Sequence, residues 1–141
     1  MGQFKQQMQQ ACRRALQPVA RGLRSLLTPP TPPIEFDWHQ IEAGPAAGAH
    51  VMLPRNTPIA EAITAGDYDE KILQVVKSLV AKDDVCFDIG GHYGCYTLSL
   101  AKLVVDGQVH TFEPVPAHAE RIRAAAKKSE LKHVQVHPVA M

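Results

Sequence analysis

The sequence predicts an α/β fold, one half of a doubly wound parallel sheet. Three observations predict it. Two short apolar runs, "VCFDI" at Val85–Ile89 and "VHTFE" at 109–113, carry a carboxylate at or near their ends. Turn signals follow each run, Gly90, Gly91 and Gly94 after the first, Pro114 and Pro116 after the second. Helical stretches then lead to the next apolar run, so the order is β-α-β-α-β. At 141 residues, 45% hydrophobic and 21% charged, the composition is that of one globular domain and excludes a disordered or fibrous chain.

At the amino terminus, Phe4, Met8, Cys12, Leu16, Val19, Leu23 and Leu26 recur at steps of three and four, which predicts an amphipathic helix over residues 3–27 kinked at Pro18. Its cations are Lys5, Arg13, Arg14, Arg21 and Arg24, and the first 33 residues hold no acid. Beyond them ten bases face fourteen acids, so the basic character belongs to this leader and a nucleic-acid footprint on the domain is not expected. A basic amphipathic helix suits weak contact with an anionic membrane surface; packing on its own domain, or a floppy leader, is the plainer alternative. "TPPTPP", residues 28–33, reads as an extended spacer, giving a leader and linker over 1–33 and a folded domain over 34–141.

No window approaches the length of apolar sequence that a membrane span needs, and no apolar block of the secretory type follows the early charge. Gln6 stands where a myristoylation signal wants Ser or Thr. Cys12, Cys86 and Cys95 lack CxxC spacing, and the last two lie in apolar runs where cysteine acts as a small buried hydrophobe. A reducing, cytoplasmic setting is expected.

Residues 34–58 give weak signals, with "HVMLP" as a strand or hairpin piece. "AGDYDEKILQVVKSLVAKDD" places acids before Ile72, Leu73, Val75, Val76, Leu79 and Val80 and lysines late, which suits a helix aligned with its dipole. The nearly all-apolar "VCFDI" is expected to be covered by helices on both faces. A helix over 93–104, a turn at "VDGQ", the strand over 109–113, a helix from "AHAERIRAAAKKSE" and a strand in "HVQVHPVA" complete the series.

In such a half-sheet the ligand lies at the carboxyl ends of the strands, where a loop turns into a helix. Gly90, Gly91 and Gly94 permit close backbone approach, and the helix start offers free N–H groups. Asp88 discriminates between ligands, because a carboxylate here repels a pyrophosphate and favours an amine or sulfonium. The D-x-G-G-x-x-G spacing also departs from both GxGxxG and the phosphate loop. Glu113, at the end of the next strand, suits the two hydroxyls of an adenosine ribose. Together the acids describe S-adenosyl-L-methionine; a turn-forming Asp and a solvated Glu are the plainer alternative.

"VCFDIGGHYGCYTLSLA" followed by "GQVHTFEPVPAHAERIRAAAKKSELKHVQVHPVAM" resembles the amino-terminal half of FkbM-type S-adenosylmethionine-dependent methyltransferases, over roughly residues 58–141. The resemblance implies a Rossmann-like class I methyltransferase fold, with methyl transfer to an oxygen of a sugar, a polyketide or a similar small molecule. It also implies that Asp88, Gly90 and Gly94 line the methionine moiety and that Glu113 holds the ribose. The family commonly has Ala-Asn where this chain has Gly91-His92, which leaves His92 either at the cofactor carboxylate, near the transferred methyl, or solvated.

Tyr93 and Tyr96 touch ligand or pack as helix residues. His133 and His137 would stand about 13 Å apart on a strand, too far to share a metal, so no metal site is expected. No residue is singled out as catalytic base. Strand count stops at three, so the domain reads as truncated after the third parallel strand, with an open edge that would recruit a completing chain or self-associate. A non-catalytic cofactor-binding half and a scaffold attached through the leader helix are the alternatives to an enzyme.

Overall fold

The structure, a computed structural model, describes residues 33–141. The leader helix over 3–27 and all but the last residue of the spacer lie outside the described residues. Nine elements follow from Phe36: β1 (Phe36–Gln40), β2 (His50–Pro54), α1 (Pro58–Ala65), α2 (Glu70–Leu79), β3 (Val85–Ile89), α3 (Cys95–Leu103), β4 (Gln108–Phe112), α4 (Pro116–Lys128) and β5 (Val134–His137).

The weakly patterned stretch before residue 58 is an antiparallel hairpin, β1 against β2, with Trp38 opposite Met52. A helix that periodicity did not reveal, α1, comes next. The Thr57 hydroxyl accepts the Ala60 N–H at 3.3 Å, Pro58 occupies its first turn, and Gly66 ends it in the left-handed region at φ 84°. Eight residues are too few to display a clear apolar period, so only the caps announce it.

The main sheet is parallel, in the order β3-β4-β5. The predicted β-α-β-α-β series is present, with small boundary shifts. Strand β4 starts and ends one residue earlier than expected, leaving Glu113 just past its end. Helix α3 starts at Cys95 because Gly94, at φ 87°, forms its N-cap.

Helices α3 and α4 pack on one face of this sheet, and the hairpin and α1 pack against them. Ile41, Val51, Leu53, Ile63, Leu73 and Leu98 form the shared core, nearly all of their surface removed from water. Each such side chain contributes about 1.5–3 kcal/mol on full burial. The hairpin is fastened to α4 by the His50 N–H to Ser129 Oγ bond at 2.8 Å and by Arg121 over the Phe36 ring at 4.1 Å.

The expectation that both faces of β3 are covered is corrected. Alternate residues of a strand face opposite sides, and Cys86 and Asp88 turn toward the helices. Val85, Phe87 and Ile89 turn the other way and are 55%, 60% and 62% exposed. A strip of rings crosses that open face: Phe87 stacks on His110 with centroids 5.4 Å apart, and Phe112 on His137 at 4.7 Å. Among the described residues β3 is also a sheet edge. The helix expected from "AGDYDEKILQVVKSLVAKDD" is α2; it buries Leu73, while its Ile72, Val75 and Leu79 are exposed. A run written for burial on both faces therefore has one face uncovered among the described residues, because no described element lies over it.

Candidate cofactor site at the glycine turn

The turn between β3 and α3 lies at the carboxyl ends of the parallel strands, as the sequence predicts. Gly90 adopts φ 87° in open space, so it is required for its conformation. Gly91 is required for space: a Cβ there would collide with Thr111 Cγ2 on β4 and would stand 2.8 Å from Ile122 Cδ1 on α4. The turn is thereby seated directly on the sheet. His92 follows at φ 48°, a left-handed conformation that a non-glycine residue adopts only when held.

Asp88 closes the floor. Its Oδ2 accepts the Thr97 hydroxyl at 2.5 Å, and Thr97 in turn accepts the Thr111 hydroxyl at 3.0 Å. Thr97 and Thr111 are fully buried. Burial pushes the Asp88 carboxyl above its ordinary range, with the Thr97 bonds opposing and the charge of Glu113 adding to the rise. Among the described residues no cation pairs with Asp88. It is a partly desolvated anion held only by neutral donors, an arrangement that a positive ligand group relieves.

Glu113 is buried, 4% exposed, and its two oxygens serve the backbone. Oε2 accepts the His92 N–H at 2.8 Å and Oε1 accepts the Val115 N–H at 2.9 Å. Burial alone would raise its carboxyl; the Val115 and His92 amides, with His118 and His92 nearby, outweigh that and lower it. Each oxygen retains a second lone pair, so the amide contacts leave acceptor capacity for a ribose hydroxyl. His118 Nδ1 stands 3.7 Å from Glu113, and burial and Arg121 hold that ring below the ordinary histidine range. The rings of His92 and Tyr93 lie 3.9 Å apart and those of His92 and His118 4.9 Å apart, forming an aromatic cluster beside the turn.

A cleft of about 240 Å³ opens here, lined by Ile63, Tyr68, Gly90, Gly91, His92, Tyr93, Cys95 and Tyr96. Asp88 and Glu113 flank the turn outside this lining, and Gly94 caps α3 beneath it. Ile63 and Tyr68 were not expected: Ile63 belongs to α1, and Tyr68 to the turn before α2. The "GDYD" turn was the available signal, two acids around a tyrosine just before an acid-led helix. Cys95 is buried and its thiol is pushed up to about 12, by burial first and then by Asp69 and Asp88, so it is no thiolate nucleophile at neutral pH. A larger groove of about 540 Å³ between α4 and β5 shares no residue with this cleft. His133 and His137 go to separate partners, the Ala101 carbonyl at 2.8 Å and His110 at 3.1 Å.

With the geometry in place, the domain is similar to several solved structures. Over 78% of its length it matches M. jannaschii TYW2 in complex with AdoMet (18% identity, TM-score 0.55). It also matches the putative methyltransferase yhhF from Escherichia coli over 74% (13% identity, TM-score 0.52) and Methanocaldococcus jannaschii Trm5 in complex with adenosine over 77% (13% identity, TM-score 0.50). The domain has a Rossmann-like methyltransferase fold. At these identities the likeness is one of fold, and the chain spans 45%, 53% and 30% of the three proteins' own lengths. No protein-family model matches the sequence, and no curated protein matches it.

Proposed function

We propose that this chain carries the cofactor-binding half of an S-adenosylmethionine-dependent methyltransferase, of the FkbM type that its motifs resemble. The observation that carries the reading is Asp88, a partly buried carboxylate at a glycine turn with no cation partner among the described residues. The fit extends to the rest of the turn: Gly91 brings backbone against the sheet where a Cβ would intrude, and Glu113 has spare lone pairs beside it. Bound there, the cofactor would supply an electrophilic methyl on a sulfonium. Asp88 would face the positive end, the Gly90–Gly94 turn would follow the amino-acid tail, and Glu113 would accept from the ribose while holding His92.

The acceptor is a hydroxyl oxygen on a sugar, polyketide or similar small molecule, as the FkbM resemblance implies. Its proton must leave as the carbon–oxygen bond forms, and no described residue is assigned as the base. The open face and edge of β3 support a second element of the proposal: further polypeptide pairs on β3 and covers Phe87 and Ile89, completing both sheet and acceptor pocket. Cys86 and Cys95 are free among the described residues, which suits a cytoplasmic setting, and no described helix is long and apolar enough to cross a membrane.

Calorimetric titration with S-adenosylhomocysteine tests the reading. Saturable binding that Asp88→Ala abolishes is the expected result; absence of binding by a chain shown to be folded would overturn it. A cofactor-binding half without activity of its own is the second reading, favoured by the face of β3 left uncovered among the described residues. Methyl transfer that appears only on mixing with a second polypeptide would select it.

A further inference from the structure

Asp69 stands at the N-cap of α2, the position where an Asp side chain ordinarily accepts an amide of the first turn. It does not do so. Its backbone is left-handed, φ 50° and ψ 31°, and its side chain makes no capping bond. Instead Oδ2 accepts the Tyr96 hydroxyl at 2.9 Å across 27 residues of sequence. Tyr96 is a lining residue of the 240 Å³ cleft, as is Tyr68, the immediate neighbour of Asp69. The carboxylate is thus withdrawn from its own helix and tied to the wall of the cleft, with Oδ1 free of the helix amides.

Asp69 and Asp88 both raise the thiol of Cys95, another lining residue, after the larger effect of burial. Each acid is tied to the site by one neighbour, Asp88 next to the glycine turn and Asp69 on the Tyr96 hydroxyl, and among the described residues no Lys or Arg lines the cleft. At about 240 Å³ the cleft is below the size of pockets that enclose a whole drug-sized ligand, roughly 300 Å³ and upward, and suits one end of a longer molecule.

We propose that Asp69, held beside the cleft by the Tyr96 hydroxyl, supplies a second acidic group there and binds the ammonium group of the cofactor's amino-acid tail. This rests on the S-adenosylmethionine reading and adds to it a determinant outside the glycine turn. Asp69 is the binding residue and Tyr96 the positioning residue, whose hydroxyl holds the carboxylate in reach. Burial, and then the bond to Asp69, pushes the Tyr96 hydroxyl up to about 12, so it remains a donor across the neutral range.

The test uses the whole chain and two ligands, S-adenosylhomocysteine, which has the amino-acid tail, and 5′-methylthioadenosine, which lacks it. Asp69→Asn should weaken S-adenosylhomocysteine about tenfold while methylthioadenosine changes less than about twofold, the selectivity expected of a charge-assisted bond to the tail. Tyr96→Phe removes one hydroxyl, should show the same selectivity at smaller size, and serves if the Asn variant does not fold. Equal losses for both ligands, or unchanged S-adenosylhomocysteine affinity, would overturn the assignment of Asp69 alone. A folded wild-type chain that binds neither ligand would overturn the cofactor reading and this inference with it.

Discussion

Glu113 and His92, 21 residues apart, are joined by one hydrogen bond: Glu113 Oε2 accepts the His92 N–H at 2.8 Å, while Oε1 takes the Val115 N–H at 2.9 Å. One buried carboxylate therefore ties the turn after β3 to the turn after β4. The residue expected to hold the ribose also shapes the loop on which the ligand would rest.

Removing that carboxylate should loosen the turn before any ligand is present. Glu113→Ala leaves two amides without acceptors, a cost of about 1–3 kcal/mol, and hydrogen exchange at His92 and Val115 should accelerate. Glu113→Gln keeps one accepting oxygen and should give an intermediate result. Unchanged exchange at both amides in Glu113→Ala would refute the loop-holding role.

The same group sets an acid limit. Its folded carboxyl lies below the ordinary value of 4.5, so its contribution is fully present above that value. The contribution is lost as pH falls below 4.5 and through the lower folded value. Acid unfolding of the wild type should therefore steepen in that window, and Glu113→Gln should flatten the curve there.

Asp88 should behave oppositely. Its folded carboxyl is raised above 3.8, so in the folded state it holds its proton more tightly than in the unfolded chain, and ionisation costs stability at neutral pH. Asp88→Asn keeps an oxygen for the Thr97 hydroxyl. Its Tm at pH 7 should match or exceed that of wild type, while S-adenosylhomocysteine affinity falls about tenfold or more. A large drop in Tm would show that the carboxylate is needed for the fold itself.

Gly91→Ala should destabilise the domain by about 1–3 kcal/mol through overpacking against Thr111 and Ile122. Thr111→Ser removes the colliding methyl and keeps the hydroxyl bonded to Thr97, so it should recover part of the loss. Denaturant unfolding of the two single variants and the double variant measures the coupling; strict additivity would mean the turn moves aside instead.

The face of β3 that no described residue covers should make the isolated chain associate. Phe87→Gln with Ile89→Gln should shift light scattering toward a monomer and change stability by less than about 0.5 kcal/mol, because both side chains are exposed. A compact wild-type monomer at high concentration would count against a covering partner.

The order of strands and helices after residue 70 was legible because it is written locally. Apolar runs of strand length, glycines and prolines at their ends, and helical periodicity all act within a few residues. The same local reading placed Asp88 before the glycine turn and Glu113 at the next strand end. Tertiary structure decided what depends on distant partners. Whether Val85, Phe87 and Ile89 are covered depends on what lies across the sheet, and "VCFDI" reads alike in either case. The aim of the Glu113 oxygens depends on where the His92 amide comes to rest. The meeting of Asp69 with Tyr96 depends on α2 and α3 packing side by side. Sequence patterns record the backbone preferences of neighbours; direction, coverage and convergence come from packing between residues that are close only after folding.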